Sequence, residues 1–182
     1  MTSQPNIVSE TQVEQYRENG VLIIEDFYDP EETAPIQEAI YHIIGLVIKR
    51  YNLPIVQAPF TNENFFSGYK ELIAVDRSFG GIIYDAIKKI TPFRRLISCE
   101  KNQSLYQQLS GATNSGTCPQ AQGIRIDNPQ ENFYRSLWHQ ELVYHPQSQD
   151  GAVFWSPLVN VTKEMGAIQI CLKSHLKGLL KY

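Results

Sequence analysis

Near residue 120 the apolar residues of this chain change their period, and that change limits what it can build. In the stretch from Pro30, residues Ile36, Ile40, Ile43, Ile44, Val47 and Ile48 recur at helical spacing and form one apolar stripe. Beyond residue 120 the pattern alternates. Gly123-Ile124-Arg125-Ile126-Asp127 and Gly166-Ala167-Ile168-Gln169-Ile170-Cys171-Leu172 both have the two-residue period of a half-buried strand. A helix-rich portion followed by a strand-rich one predicts an α+β fold, with helices packed on one face of a largely antiparallel sheet.

Local signals set the element boundaries. Ser9 followed by Gln12 is a capping box, and Gly20 closes the short helix it opens. Val21-Leu22-Ile23-Ile24 then predicts a buried strand. Asp29-Pro30-Glu31-Glu32 combines a cap, a first-turn proline and a capping-box glutamate, so the striped helix starts there and ends near Tyr51-Asn52. Residues 54–68 have no period and predict a loop. A third helix carries Ile82, Ile83, Ala86, Ile87 and Ile90, and Thr91-Pro92 starts a fourth. Leu105 and Leu109 suit a further turn or two, and residues 111–120 predict a loop. Four strands are then expected, at 123–127, 136–141, 152–155 and 166–172. Turn clusters at Asn128-Pro129, His145-Pro146, Gln149-Asp150-Gly151 and Glu164-Met165-Gly166 separate them. The whole chain, 1–182, is expected to be one domain, with 1–120 its mostly helical part and 121–182 its first strands.

Composition excludes several classes. A net charge of −3 gives no overall basic footprint for nucleic acid. The longest apolar run, Ile43 to Ile48, is far short of the ~20 residues that span a bilayer. Met1-Thr2-Ser3-Gln4-Pro5 has neither the basic nor the apolar region of a signal peptide. Cys99, Cys118 and Cys171 are odd in number and lack metal-type spacing, so packing thiols in a reducing, cytoplasmic setting are expected. These features predict neither a nucleic-acid partner nor a membrane partner.

His139-Gln140-Glu141 carries the most chemistry. On a strand, His139 and Glu141 would point to one face with Cα atoms ~6.5 Å apart. An imidazole and a carboxylate so placed can reach one metal ion, as two members of the facial triad of non-haem iron(II) oxygenases. The same spacing also occurs as an exposed or hydrogen-bonded pair with no metal.

The surroundings of that tripeptide are specific. Trp138-His139-Gln140-Glu141 is followed by Phe154-Trp155, by Val161-Thr162-Lys163-Glu164-Met165-Gly166, and by Ser174-His175-Leu176-Lys177-Gly178. In this order the motifs resemble the phytanoyl-CoA dioxygenase family. Residues 16–27 are similar to that family's opening helix and strand, and Arg125-Ile126-Asp127-Asn128-Pro129 to its first core strand. The resemblance implies helices packed on a double-stranded β-helix (jelly-roll, cupin-like) core. It implies an enzyme that uses Fe(II), 2-oxoglutarate and dioxygen to hydroxylate a small-molecule substrate, releasing succinate and carbon dioxide. His139 and Glu141 would be the first two metal ligands. Gln140 and Trp155 would border the co-substrate pocket, while Trp155 also suits an ordinary core aromatic. Arg125 suits an anion partner, because guanidinium grips carboxylates bidentately, and equally a surface arginine on a strand. Glu141 departs from the family's usual Asp, and the extra methylene moves the carboxylate by about a bond length (~1.5 Å).

A second departure lies at the far end. The family's second histidine ligand and its 2-oxoglutarate-binding arginine follow the Ser-His-x-x-Gly loop on later strands, and here Tyr182 is reached four residues after Gly178. His175 matches the loop, not the ligand strand, and His145 lies in an expected turn. Lys177 and Lys181 are expected to be solvated. About four or five strands are readable, against the eight of a complete jelly roll. Either the chain continues past Tyr182, or a shortened relative covers its strand edges with another chain. The readings to be separated are therefore an oxygenase, a truncated non-catalytic binding or scaffold subunit, and an α+β small-molecule binder with an incidental His-x-Glu pair.

Overall fold

The structure, a computed structural model, describes residues 6–118, 122–128, 131, 133, 135–146 and 150–180. The expectations on Met1–Pro5, residues 119–120, Pro129, Gln149 and Lys181 lie outside these. The chain divides into two compact units. One comprises Asp26–Ser98 with Thr117–Ile126, and the other Met1–Glu25, Cys99–Gly116 and Asp127–Tyr182.

The first unit is helical. Helix α1, Glu10–Asn19, belongs to the other unit, and helix α2, Pro30–Arg50, is the first of this one. It opens on a reciprocal pair of bonds: the Asp29 N–H donates to Glu32 Oε2 at 2.9 Å, and the Glu32 N–H to the Asp29 carbonyl at 2.9 Å. Its stripe packs on α4 (Ser78–Ile87) and α5 (Thr91–Ile97), and α3 (Tyr69–Val75) packs on α4. Ile36, Ile40, Ile44, Leu72, Ile83 and Ile87 are almost fully buried. Removing such side chains from water is what stabilises the unit, at ~1.5–3 kcal/mol for each full burial. The loop at 53–68 is pinned along α2. The Gln57 amide donates to the carbonyls of Tyr41 and Ser67 at 3.1 and 3.0 Å, and the Tyr41 hydroxyl to the Ala58 carbonyl at 2.9 Å. Within the stretch 59–66, Phe65 is buried and Phe60 lies edge-on to Tyr41, while Phe66 is exposed.

In the second unit α1, Glu10–Asn19, packs on α6, Glu100–Ser110. Gln12 donates its N–H to Ser9 Oγ at 3.3 Å and accepts the Ser9 N–H at 2.9 Å, completing the predicted capping box. Both helices end on a left-handed glycine, Gly20 and Gly111. Later in this unit the chain forms short 3₁₀ turns at Glu141–Val143, Lys163–Met165 and Ser174–Lys177.

The expected jelly-roll core is thus corrected. Among the described residues there is no strand and no sheet, so the segments at 21–24, 123–127, 136–141, 152–155 and 166–172 are not strands. The reason is physical. A helix closes its hydrogen bonds within itself, whereas an extended segment becomes a strand only when a second segment completes its ladder. Alternation assigns residues to faces but supplies no partner. No residue after Leu109 is among the buried apolar residues described, and Ile168, Ile170 and Leu172 are about half exposed. The helix expected through Ile90 stops at Ile87, and Ile90 instead precedes α5. Helix α3 falls where no element was predicted.

Candidate metal-binding site

Gln140 is extended, at φ −110° and ψ 135°, and Glu141 opens a 3₁₀ turn. A single extended residue is enough to turn its two neighbours to the same side. His139 and Glu141 therefore meet without a strand: Nε2 of the imidazole lies 3.2 Å from Glu141 Oε1. The turn also carries Tyr144 back, edge-on to the imidazole at 5.3 Å between ring centres. The side chains of His139 and Glu141 are 31% and 47% exposed, so solutes reach both.

The other ring nitrogen fixes the chemistry. His139 Nδ1 is 2.6 Å from the Leu137 carbonyl oxygen, which can only accept, so Nδ1 carries the hydrogen. Nε2 then has two states. As an imidazolium it donates to Glu141. As a neutral ring it turns a lone pair toward a carboxylate, which is favourable only with a cation between them. An Nδ1–H held by a backbone carbonyl is the outer-shell arrangement that orients metal-binding histidines.

Gln140 points its amide along the chain. Its Nε2 donates to the Gly178 carbonyl at 2.9 Å, and its Oε1 accepts the Leu180 N–H at 2.8 Å. Trp155 is 49% exposed. Arg125 belongs to the helical unit, whereas His139, Gln140, Glu141 and Trp155 belong to the other. His175 does not join the pair. Its Nε2 donates to the Arg17 carbonyl at 2.9 Å, and its ring lies against Gly20. His145 sits at the end of the turn, its N–H on the Glu141 carbonyl at 3.0 Å. Among the described residues no group of three or more His, Cys, Asp or Glu side chains is gathered for a metal.

Sequence reasoning missed Lys173. Its N–H donates to the Asn19 carbonyl at 2.9 Å, and its ammonium to Glu18 at 2.6 Å. That hydrogen bond and charge hold the Glu18 carboxyl below the ordinary glutamate range. The signal available was the last turn of α1, whose carbonyls need partners from somewhere.

Residues 16–181 match the family model of phytanoyl-CoA dioxygenase (PhyH). The chain belongs to the phytanoyl-CoA dioxygenase family. No curated protein and no solved structure matches it. The phytanoyl-CoA dioxygenase family generally uses Fe(II) and 2-oxoglutarate, so membership supports a dioxygenase-like enzyme. The residues present suit two positions of such an iron site. Two donors ~2.1 Å from one ion and at right angles to each other are ~3.0 Å apart, close to the 3.2 Å between Nε2 and Oε1. No described helix is long and apolar enough to cross a membrane.

Proposed function

We propose that this chain carries two metal ligands of an Fe(II)- and 2-oxoglutarate-dependent dioxygenase that hydroxylates a small-molecule substrate. The observation that supports this most is the His139–Glu141 pair. Its donor atoms have the spacing of two adjacent positions on an octahedral ion, and the Leu137 carbonyl, by taking the Nδ1 hydrogen, leaves Nε2 as the nitrogen able to ligate when the ring is neutral. When bound, iron(II) supplies the one-electron chemistry that couples dioxygen to decarboxylation of 2-oxoglutarate. The chain's own residues hold and orient. His139 donates Nδ1–H to the backbone and presents Nε2. Glu141 supplies negative charge that offsets the cation. Tyr144 limits rotation of the imidazole by packing its edge against it. Trp155 offers an aromatic surface for the co-substrate.

Titration with Fe(II) under anaerobic conditions tests the ligands. One ion should bind, and His139→Ala should weaken binding by at least tenfold while the helical circular dichroism is kept. Equal affinity in the variant would remove His139 from the site. A second reading is a non-catalytic relative acting as a binding or scaffold subunit. One observation favours it: among the described residues the pair is joined by no third ligand. Succinate release from 2-oxoglutarate separates the two, since the scaffold reading predicts none.

A further inference from the structure

Segment 171–180 grips both α1 and the tripeptide that carries the candidate ligands. At its start, Lys173 donates its N–H to the Asn19 carbonyl and its ammonium to Glu18, and His175 donates to the Arg17 carbonyl. With the Gly20 N–H on the Tyr16 carbonyl at 2.7 Å, three carbonyls of the last turn of α1 have partners. Two of those partners lie some 150 residues away in the chain. Cationic groups at a helix C-terminus are also favoured by its dipole. At the segment's other end, Gly178 and Leu180 are held by the two atoms of the Gln140 amide.

The backbone between these ends is over-determined. Lys173 is left-handed at φ 62°, a conformation that a non-glycine residue holds only against steric resistance. Residues Ser174–Lys177 form a 3₁₀ turn, short and hydrogen-bonded. Gly178, at φ 68° and ψ −160°, occupies a region open in practice to glycine alone. Both grips therefore act on one short, bent piece of chain.

We propose that residues 171–180 are a two-ended strap through which α1 positions the His139–Glu141 pair, with His175 and Lys173 as positioning residues at one end and Gln140 at the other. The positioning role rests on the ligand reading above; the coupling between the ends does not. Ligation and strap are thus different jobs for the two histidines: His139 faces the ion, and His175 anchors the backbone that holds His139's neighbour.

The test uses the full chain and two readouts. The first is hydrogen exchange at the Leu180 amide, which Gln140 accepts. His175→Ala should speed it several-fold, although the substituted residue lies at the opposite end, and His175→Gln, which retains an N–H donor, should restore protection. Lys173→Met disturbs an exposed pair only and should act in the same direction if His175→Ala impairs folding. The second readout is cobalt(II) affinity, expected to fall about tenfold in His175→Ala and to recover in His175→Gln. Unchanged Leu180 exchange in both His175→Ala and Lys173→Met would overturn the strap, even with cobalt(II) bound through His139. Coupled ends with cobalt(II) affinity unaffected by His139→Ala would leave the strap standing and remove the ligand reading.

Discussion

Gly20 and Gly111 are a matched pair of helix ends, and the difference between them measures the contact of His175 with α1. Both have φ 76°, with ψ 10° and 8°, and both donate to the carbonyl four residues back, at 2.7 and 2.8 Å. Both belong to the same compact unit. A Cβ at Gly111 would meet nothing within 4 Å, whereas one at Gly20 would overlap the His175 ring, with Cε1 only 2.8 Å away. Gly111→Ala therefore carries the backbone penalty alone, about 1–2 kcal/mol for an L-residue in the left-handed region. Gly20→Ala carries that penalty and also displaces the imidazole from the Arg17 carbonyl. This bond is solvent-exposed, so its loss adds about 0.5–1 kcal/mol, the low end for a hydrogen bond. The expected totals are about 1–2 kcal/mol at Gly111 and about 1.5–3 kcal/mol at Gly20, read from urea denaturation midpoints at constant slope. In the His175→Ala background the ring is gone, and Gly20→Ala should cost no more than Gly111→Ala. The double-mutant cycle should thus return a coupling of about 0.5–1 kcal/mol. Equal losses at the two glycines in the wild-type background, or a Gly20→Ala loss that ignores residue 175, would refute the contact.

Three further outcomes follow from burial and charge. Ile40→Ala removes a side chain with no exposure from the centre of α2 and should cost about 2–5 kcal/mol in urea denaturation, whereas Leu46→Ala on the exposed face of the same helix should stay within ~0.5 kcal/mol. Ser104 is buried in α6 and its hydroxyl has no hydrogen-bond partner among the described residues, so Ser104→Ala should raise stability by about 1 kcal/mol; a loss of stability would show that the hydroxyl is bonded. Burial, and secondarily repulsion from Tyr106, push the Tyr16 phenol above the ordinary tyrosine value. The folded state thus holds this proton more tightly than the unfolded chain. The stability that goes with it is complete below the ordinary value of ~10 and is lost as pH rises toward the folded value. Tyr16→Phe should flatten that alkaline fall; an unchanged slope would place its origin elsewhere.

The parts of the fold legible in the sequence are those whose hydrogen bonds close nearby. Ser9 with Gln12, Asp29 with Glu32, and Gly20 at the end of α1 are all settled within four residues, and the structure has each of them. The stripe of α2 was legible because 21 residues give the helical period room to repeat. Helix α3 was not, since seven residues bury only Tyr69 and Leu72, one turn of pattern. The alternation after residue 120 was real as a pattern, but a ladder is a relation between two segments, and the period of one does not specify the other. The candidate site divides in the same way. One extended residue between His139 and Glu141 suffices to bring them together, so the tripeptide revealed the pair. The Gln140 amide bonds residues 38 and 40 positions away, and His175 reaches across 158. Nothing in a local motif encodes those contacts.

The two helix ends make this concrete. Asn19-Gly20 and Ser110-Gly111 are equivalent as stop signals, and each glycine adopts the same backbone for the same local reason. Only one has an imidazole against its Cα. A C-terminal turn exposes carbonyls whatever its sequence, and it becomes a docking point when a donor arrives from elsewhere in the chain. Lys173 and His175 are two residues apart and bond two carbonyls of one turn, one through its backbone and the other through its ring. Lys173 also pairs its ammonium with Glu18 beside that turn, so losing this pair or the His175 ring should loosen the other contact. If Lys173→Met and His175→Ala proved strictly additive in denaturation, the turn and α1 would be held by two independent contacts rather than by one clasp.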